Sequence, residues 1–195
     1  MELILASQSP RRRELLARMG LSFTVAAADI DETMDAAKKP FDEVARLSAQ
    51  KAAAIAETAG DDAVIVAADT VVVLEDRVLG KPRTAEEAAA MLTSLSGRDH
   101  QVMTGVTVRR GSRTITDTVV THVWFRPLSQ REIAAYVATS EPMDKAGAYG
   151  IQGLAGLFVE RLDGDYYNVM GLPICRLCAM LRHLGVEILG QADVT

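Results

Sequence analysis

The stretch 62-DAVIVAADTVVVLE-75 decides the fold. From Ala63 to Leu74 it is apolar except at Asp69 and Thr70, and valine dominates. A surface helix would bring polar residues back every three or four positions, and a half-exposed strand would alternate. A continuous run of this kind is the mark of a strand covered on both faces. The interruption matters as much as the run. An unpaired carboxylate inside a sheet is expensive, so Asp69 needs a hydrogen-bonded partner, a cation, or a place at the open end of its strand.

Outward from this strand, strands and helices alternate. ELILAS (2–7) and SFTVAAAD (22–29) read as strands, with SPRRRELLARMG (9–20) between them as a helix stopped by Gly20. FDEVARLSAQKAAAIAET (41–58) reads as a long helix, with Phe41, Val44, Ala45, Ala52, Ile55 and Ala56 on one face. TAEEAAAMLTSLSG (84–97) and SQREIAAYVATSE (129–141) are helices opened by the capping boxes Thr84–Glu87 and Ser129–Glu132. Residues 100–111 and 113–127 form a hairpin around Gly111, and 156–169 a strand closed by an Asp-Gly turn. LPICRLCAMLRHLG (172–185) is the last helix, with Cys175 and Cys178 expected in its buried stripe rather than as a redox pair. The whole predicts an α/β fold, a mixed twisted sheet flanked by helices, in a single domain over residues 1–195.

Composition narrows the function. The chain carries 21 Lys plus Arg against 26 Asp plus Glu, a net charge of −5, which argues against a partner that is a nucleic acid polymer. No apolar run reaches the roughly 20 residues that span a bilayer, so no membrane partner and a cytoplasmic protein are expected. Any polyanion it binds is therefore small and held locally.

Such a grip is written at 9-SPRRR-13. Ser9 is placed as an N-cap and Pro10 at the first helical position. Three arginines then stand at the positive end of the helix dipole, which costs about 1 kcal/mol together unless an anion joins them. A strand running into a loop and a helix N-terminus is a ready-made phosphate site. Arg12 lies in line with Leu15, Leu16 and Met19 and is predicted to point inward, whereas Arg13 falls near solvent. Two further signals accompany it. Lys81 follows Asp69 by about a dozen residues, a pairing that suits a metal-assisted phosphate site as well as a structural ion pair. The segment 144-DKAGAYGIQGLAG-156 has glycines at threefold spacing, a loop whose backbone approaches something closely. Within it Gln152 offers an amide for a base edge and Tyr149 a ring for stacking. No Gly-x-Ser-x-Gly, His-Glu-x-x-His or P-loop is present, and His100, His122 and His183 are scattered.

Taken in order, LASQSPRR, DETMD, ADTVV, GKP, SGRDHQVMTGV, DKAGAYGIQG and GLP resemble the Maf family of nucleoside triphosphate pyrophosphatases, across residues 3 to about 184. The resemblance implies a two-lobed mixed α/β fold around a central cleft, similar to inosine triphosphate pyrophosphatases. It implies hydrolysis of a nucleoside triphosphate to monophosphate and pyrophosphate with a divalent metal cation (Mg²⁺ or Mn²⁺), and a possible homodimer. Carried over residue by residue, Asp69 becomes the proton acceptor and a metal ligand, with Glu32 a second ligand. Ser9, Arg11 and Arg12 would hold the triphosphate, and Lys51 and Lys81 would neutralise transition-state charge. The branch acting on dTTP and UTP is marked by Arg after Ser-Pro, Thr after the catalytic Asp, and Gln in the glycine loop. This chain has Arg11, Thr70 and Gln152, and departs from the 7-methyl-GTP branch (SPWRR, DQV, SEG) at all three. The alternative from the family name is a non-enzymatic nucleotide-binding regulator of septum formation. A base flanked by Lys51 and Lys81 argues against it, because a pure binder needs none.

Overall fold

The computed structural model describes residues 2–188. Strands and helices alternate along them: β1 (Leu3–Leu5), α1 (Pro10–Arg18), β2 (Thr24–Val25), α2 (Pro40–Ala56), β3 (Val64–Leu74), β4 (Arg77–Leu79) and α3 (Ala85–Leu95). Then come β5 (Asp99–Arg110), β6 (Arg113–Phe125), α4 (Gln130–Val137), β7 (Val159–Asp163), α5 (Tyr166–Val169) and α6 (Ile174–His183). The sheet runs β2-β1-β3-β5-β6-β7, with β4 paired to β3 off this path. β1 is parallel to both β2 and β3, whereas β3–β4 and β6–β7 are antiparallel, so the sheet is mixed as the sequence predicts. β3 is buried along nearly all of its length. Among the described residues no helix is long and apolar enough to cross a membrane.

Local chemistry sets the helix ends. Ser9 caps α1 by accepting from the Arg12 amide at 3.5 Å, and Pro10 occupies its first position. Gly20 ends the turn after it at φ +72°, a conformation glycine adopts without strain. Ser129 and Glu132 form the complete capping box of α4. At α3 the box is only half closed: Thr84 accepts from the Glu87 amide at 3.2 Å, but the Glu87 carboxylate reaches past Thr84 to the amide of Arg83 at 2.7 Å.

Two expectations about faces fail. Phe41 is exposed, because in the first turn of α2 the buried position goes to Glu43 instead; the stripe continues through Val44, Leu47, Ser48, Lys51, Ala52 and Ile55. In α6 the buried stripe runs through Leu177, Met180 and Leu181, out of step with the cysteines. Cys175 is exposed and Cys178 half-buried, so neither is a core thiol. The strand expected at 22–29 also shrinks to Thr24–Val25.

The chain groups into two compact units. The first comprises residues 2–69, 104–119 and 171–188 of the described chain, and the second residues 70–103 and 120–170. In the first, α2 lies on the sheet through small side chains: Ala52 and Ile55 meet Ile4, Ala6, Ile65 and Ala67. The approach is closest at Gly105, where a Cβ would stand 2.1 Å from the Val44 carbonyl oxygen. A buried hydrogen bond of 2.8 Å between the Ser48 and Thr107 hydroxyls fixes the register of α2 on β5. The second unit has an aromatic core: Phe125 and Tyr149 pack edge to face on His100 and on each other, and Phe158 packs edge to face on Phe125 and Tyr136.

Candidate active site

Asp69 sits where β3 changes partners. Residues 64–66 pair with β1 and residues 72–74 with β4, so Asp69 and Thr70 fall beyond the carboxyl end of β1. In α/β sheets that is the place where ligands bind. Asp69 nevertheless stands in the middle of β3 and not at its open end; of the three expected alternatives, the cation is the one it has.

Its partner is Lys51. The ammonium donates to Asp69 Oδ1 at 2.7 Å and approaches Glu32 Oε1 at 3.0 Å, so one buried cation joins two carboxylates. Lys51 comes from the packed face of α2 with its side chain only 8% exposed, Asp69 is 13% exposed, and Glu32 is 60% exposed. Removing one member of such a group leaves uncompensated charge, which makes the arrangement strict.

Arginine completes the cluster. Arg12 donates through Nε to the Gly171 carbonyl at 2.8 Å and through Nη1 to the Ser7 hydroxyl at 3.3 Å. Burial pushes its guanidinium below the ordinary arginine range, the charge of Asp69 pulls it back up, Arg11 lowers it and Glu32 raises it. Arg11, Glu32 and Asp69 therefore lie within electrostatic reach of Arg12. Arg11 is half-buried, and Arg13 is exposed, as the helical spacing predicts. Arg12 is thus eased from inside the protein, by a carbonyl and two carboxylates, with the N-terminus of α1 and Ser9 beside it.

The remaining predicted residues belong to the second unit. Thr70 is half-buried next to Asp69 on β3, and Lys81 and Gln152 are exposed. Lys81 follows Gly80, whose carbonyl accepts from the Gly147 amide at 3.0 Å, so that the lysine segment and the glycine loop are tied together. Gly147 adopts φ +68° and a Cβ there would meet Val72 at 2.9 Å, which accounts for one of the loop's glycines. Tyr149 is a correction. Its ring is buried against His100 and Phe125, and its hydroxyl shares a 2.7 Å hydrogen bond with His100 Nε2, so it has no face to offer a base.

Over residues 2–184 the chain matches the family model described as Maf-like protein. It belongs to the Maf family. Among curated relatives, this Maf chain is 46% identical over 187 residues to a protein of Bacillus cereus strain AH820 named dTTP/UTP pyrophosphatase, covering 96% of the one and 97% of the other. A protein of the same name from Geobacillus sp. strain WCH70 is 49% identical over 184 residues, covering 94% and 98%. Among solved structures, the Staphylococcus aureus Ham1 protein matches with a TM-score of 0.51 at 15% identity, over 94% of this chain and 100% of that one. That likeness concerns the fold alone. It agrees with the mixed α/β architecture of the Maf chain.

Sequence reading passed over the residues that fix Glu32. Glu43, 1% exposed, accepts from Nε and Nη2 of Arg46 at 2.8 and 2.7 Å and from the amide of Asp35 at 2.8 Å. These bonds, Arg46 first, pull its carboxyl down to about 2. Arg46 also donates to the Thr33 carbonyl at 3.0 Å, so the pair fastens 31-DETMD-35 to α2 from two sides. The available signal was spacing: Glu43, Leu47 and Lys51 share a helical stripe, and charges within an apolar stripe are seldom idle. Ser7, the acceptor for Arg12, lay in a quoted motif without being given a role.

Proposed function

We propose that the chain hydrolyses nucleoside triphosphates, dTTP and UTP foremost, to the monophosphate and pyrophosphate. The observation that carries this reading is the Lys51–Asp69 ion pair of 2.7 Å, with the half-buried Arg12 at the head of α1 in electrostatic reach of Asp69. The names of relatives at 46% and 49% identity, both dTTP/UTP pyrophosphatases, support it.

In this reading Ser9, Arg11, Arg12 and the amides at the start of α1 bind the triphosphate. Asp69 offers its Oδ2 to a water and takes the proton as the water oxygen bonds to the α-phosphorus. The bond from that phosphorus to the bridging oxygen breaks, and pyrophosphate leaves with the electron pair. Lys51 holds the base in place through Oδ1, and Lys51 and Lys81 balance the charge that grows on the phosphate oxygens. Positioning and electrostatics suffice for such a transfer, so no serine or cysteine nucleophile is invoked. Among the described residues no three His, Cys, Asp or Glu side chains converge as a metal set. Asp69 and Glu32 are two carboxylates on one lysine, and they would hold a hydrated Mg²⁺ or Mn²⁺, which binds through one or two carboxylates. That ion would supply charge neutralisation on the triphosphate and a more acidic attacking water. Arg11, Thr70 and Gln152 select the pyrimidine base.

The test is pyrophosphate release across a panel of nucleotides with Mg²⁺ or Mn²⁺. Fastest turnover on dTTP or UTP is expected, and Arg11→Ala should lower the preference for dTTP over purine triphosphates. Equal rates for all bases would reject the selective part of the reading, and a chain that binds nucleotide without turnover would reject the whole.

A further inference from the structure

The loop that carries Gln152 is held from below by one carboxylate. Glu141 Oε2 accepts from the Leu154 amide at 3.1 Å, and Oε1 accepts from the Tyr136 hydroxyl at 2.9 Å. That same hydroxyl accepts from the Gly150 amide at 3.3 Å. Glu141 therefore grips both ends of the turn, Leu154 directly and Gly150 through Tyr136. The turn closes on itself with a 2.9 Å bond from the Gly153 amide to the Gly150 carbonyl, and it presents Gln152 on its exposed side.

Two glycines are explained by this support. A Cβ at Gly153 would stand 2.2 Å from Glu141 Oε1, although its φ of −100° suits any residue. A Cβ at Gly150 would stand 2.6 Å from Lys145 Cε, and the Lys145 ammonium donates to the Glu141 carbonyl at 2.6 Å. The glutamate carboxylate and the lysine stem fill the space beneath the turn that side chains would take. The two carboxylate oxygens accept from the Tyr136 phenol and from a backbone amide of this turn rather than from a cation.

We propose that Glu141 is a positioning residue for substrate selection: by clamping the turn 150–154 it sets where the Gln152 amide stands, and so how strictly the base is chosen. This rests on the reading of Gln152 as a base-contacting side chain. Glu141 touches neither substrate nor reacting atoms.

The test measures kcat and KM for dTTP and for dGTP by pyrophosphate release, in wild type, Glu141→Ala, Gly153→Ala, Gln152→Ala and the double variant Glu141→Ala/Gln152→Ala. Each single variant should lower the dTTP-to-dGTP ratio of kcat/KM about ten-fold, chiefly through KM for dTTP. The double variant should fall no further than Gln152→Ala, because a residue acting through another is not additive with it. Gly153→Ala keeps every side-chain partner and only displaces the carboxylate, so it decides the matter even if Glu141→Ala does not fold. Wild-type selectivity in Gly153→Ala and Glu141→Ala, with selectivity lost in Gln152→Ala, would overturn the inference alone. So would a double variant whose loss is the product of the two single losses. Wild-type selectivity in Gln152→Ala would overturn the base-reading role of Gln152, and this inference with it.

Discussion

At the scale of single residues, Asp69 carries the heaviest expectation. Asn at this position keeps the volume and one acceptor for Lys51 but removes the base, so Asp69→Asn should lower kcat by about 10²- to 10⁴-fold while the folded circular dichroism spectrum is retained. Pyrophosphate release under saturating dTTP measures it. Asp69 and Arg12 were legible in the sequence because each violates a local rule, a charge inside an apolar strand and a cation at the wrong end of a helix. Lys51 and Glu32 were not legible in this way. Lys51 leaves only the weaker signal of a charge within the apolar stripe of α2, and Glu32 lies in a segment with no periodicity; only the resemblance gave them roles. Tyr149 misled because a ring in a glycine-rich loop looks available, whereas the fold turns it into the aromatic core. Nothing in the local sequence tells those two outcomes apart.

At the scale of elements, two contacts make quantitative claims. Gly105 lets the backbone of α2 lie against β5, with a Cβ position only 2.1 Å from the Val44 carbonyl oxygen. Backbone cannot step aside as a side chain can, so Gly105→Ala should destabilise the fold by about 3 kcal/mol, read as a lower urea midpoint. The second contact is His100 with Tyr149. Burial is the main cause that brings the His100 imidazole down from 6.5 to about 4. The unfolded chain therefore binds this proton more readily, so the contribution of His100 is fully present above pH 6.5 and is lost as pH falls from there towards 4. Unfolding measured across that window should show stability falling with acidification, and His100→Gln should flatten the slope; an unchanged slope would remove His100 as its cause. The apolar run of β3 and the box at Ser129 were readable because strand burial and capping are local. The exposed faces of Phe41 and Cys175 were not, since helical spacing gives a stripe but not which of two neighbouring stripes the sheet will cover.

At the scale of the molecule, β3, β5 and β6 each pass from one compact unit into the other, at residues 69–70, 103–104 and 119–120, and the chain crosses again at 170–171. We expect one cooperative domain on that account. Heat unfolding should give a single transition with matching calorimetric and van't Hoff enthalpies, and two resolved transitions would contradict it. The alternation of strands and helices made the fold class legible over the whole length. The parallel seating of β1 between β2 and β3, which puts Asp69 beyond the end of β1, was not, because pairing is non-local.

One measurement bears most directly on the arginines and the acid acting together on a triphosphate: the products formed from dTTP with Mg²⁺ present, by wild type and by Asp69→Asn. The expected products from wild type are dTMP and pyrophosphate in equal amounts, with the variant slower by at least about a hundred-fold. Formation of dTDP and orthophosphate, or equal rates from the two proteins, would contradict it.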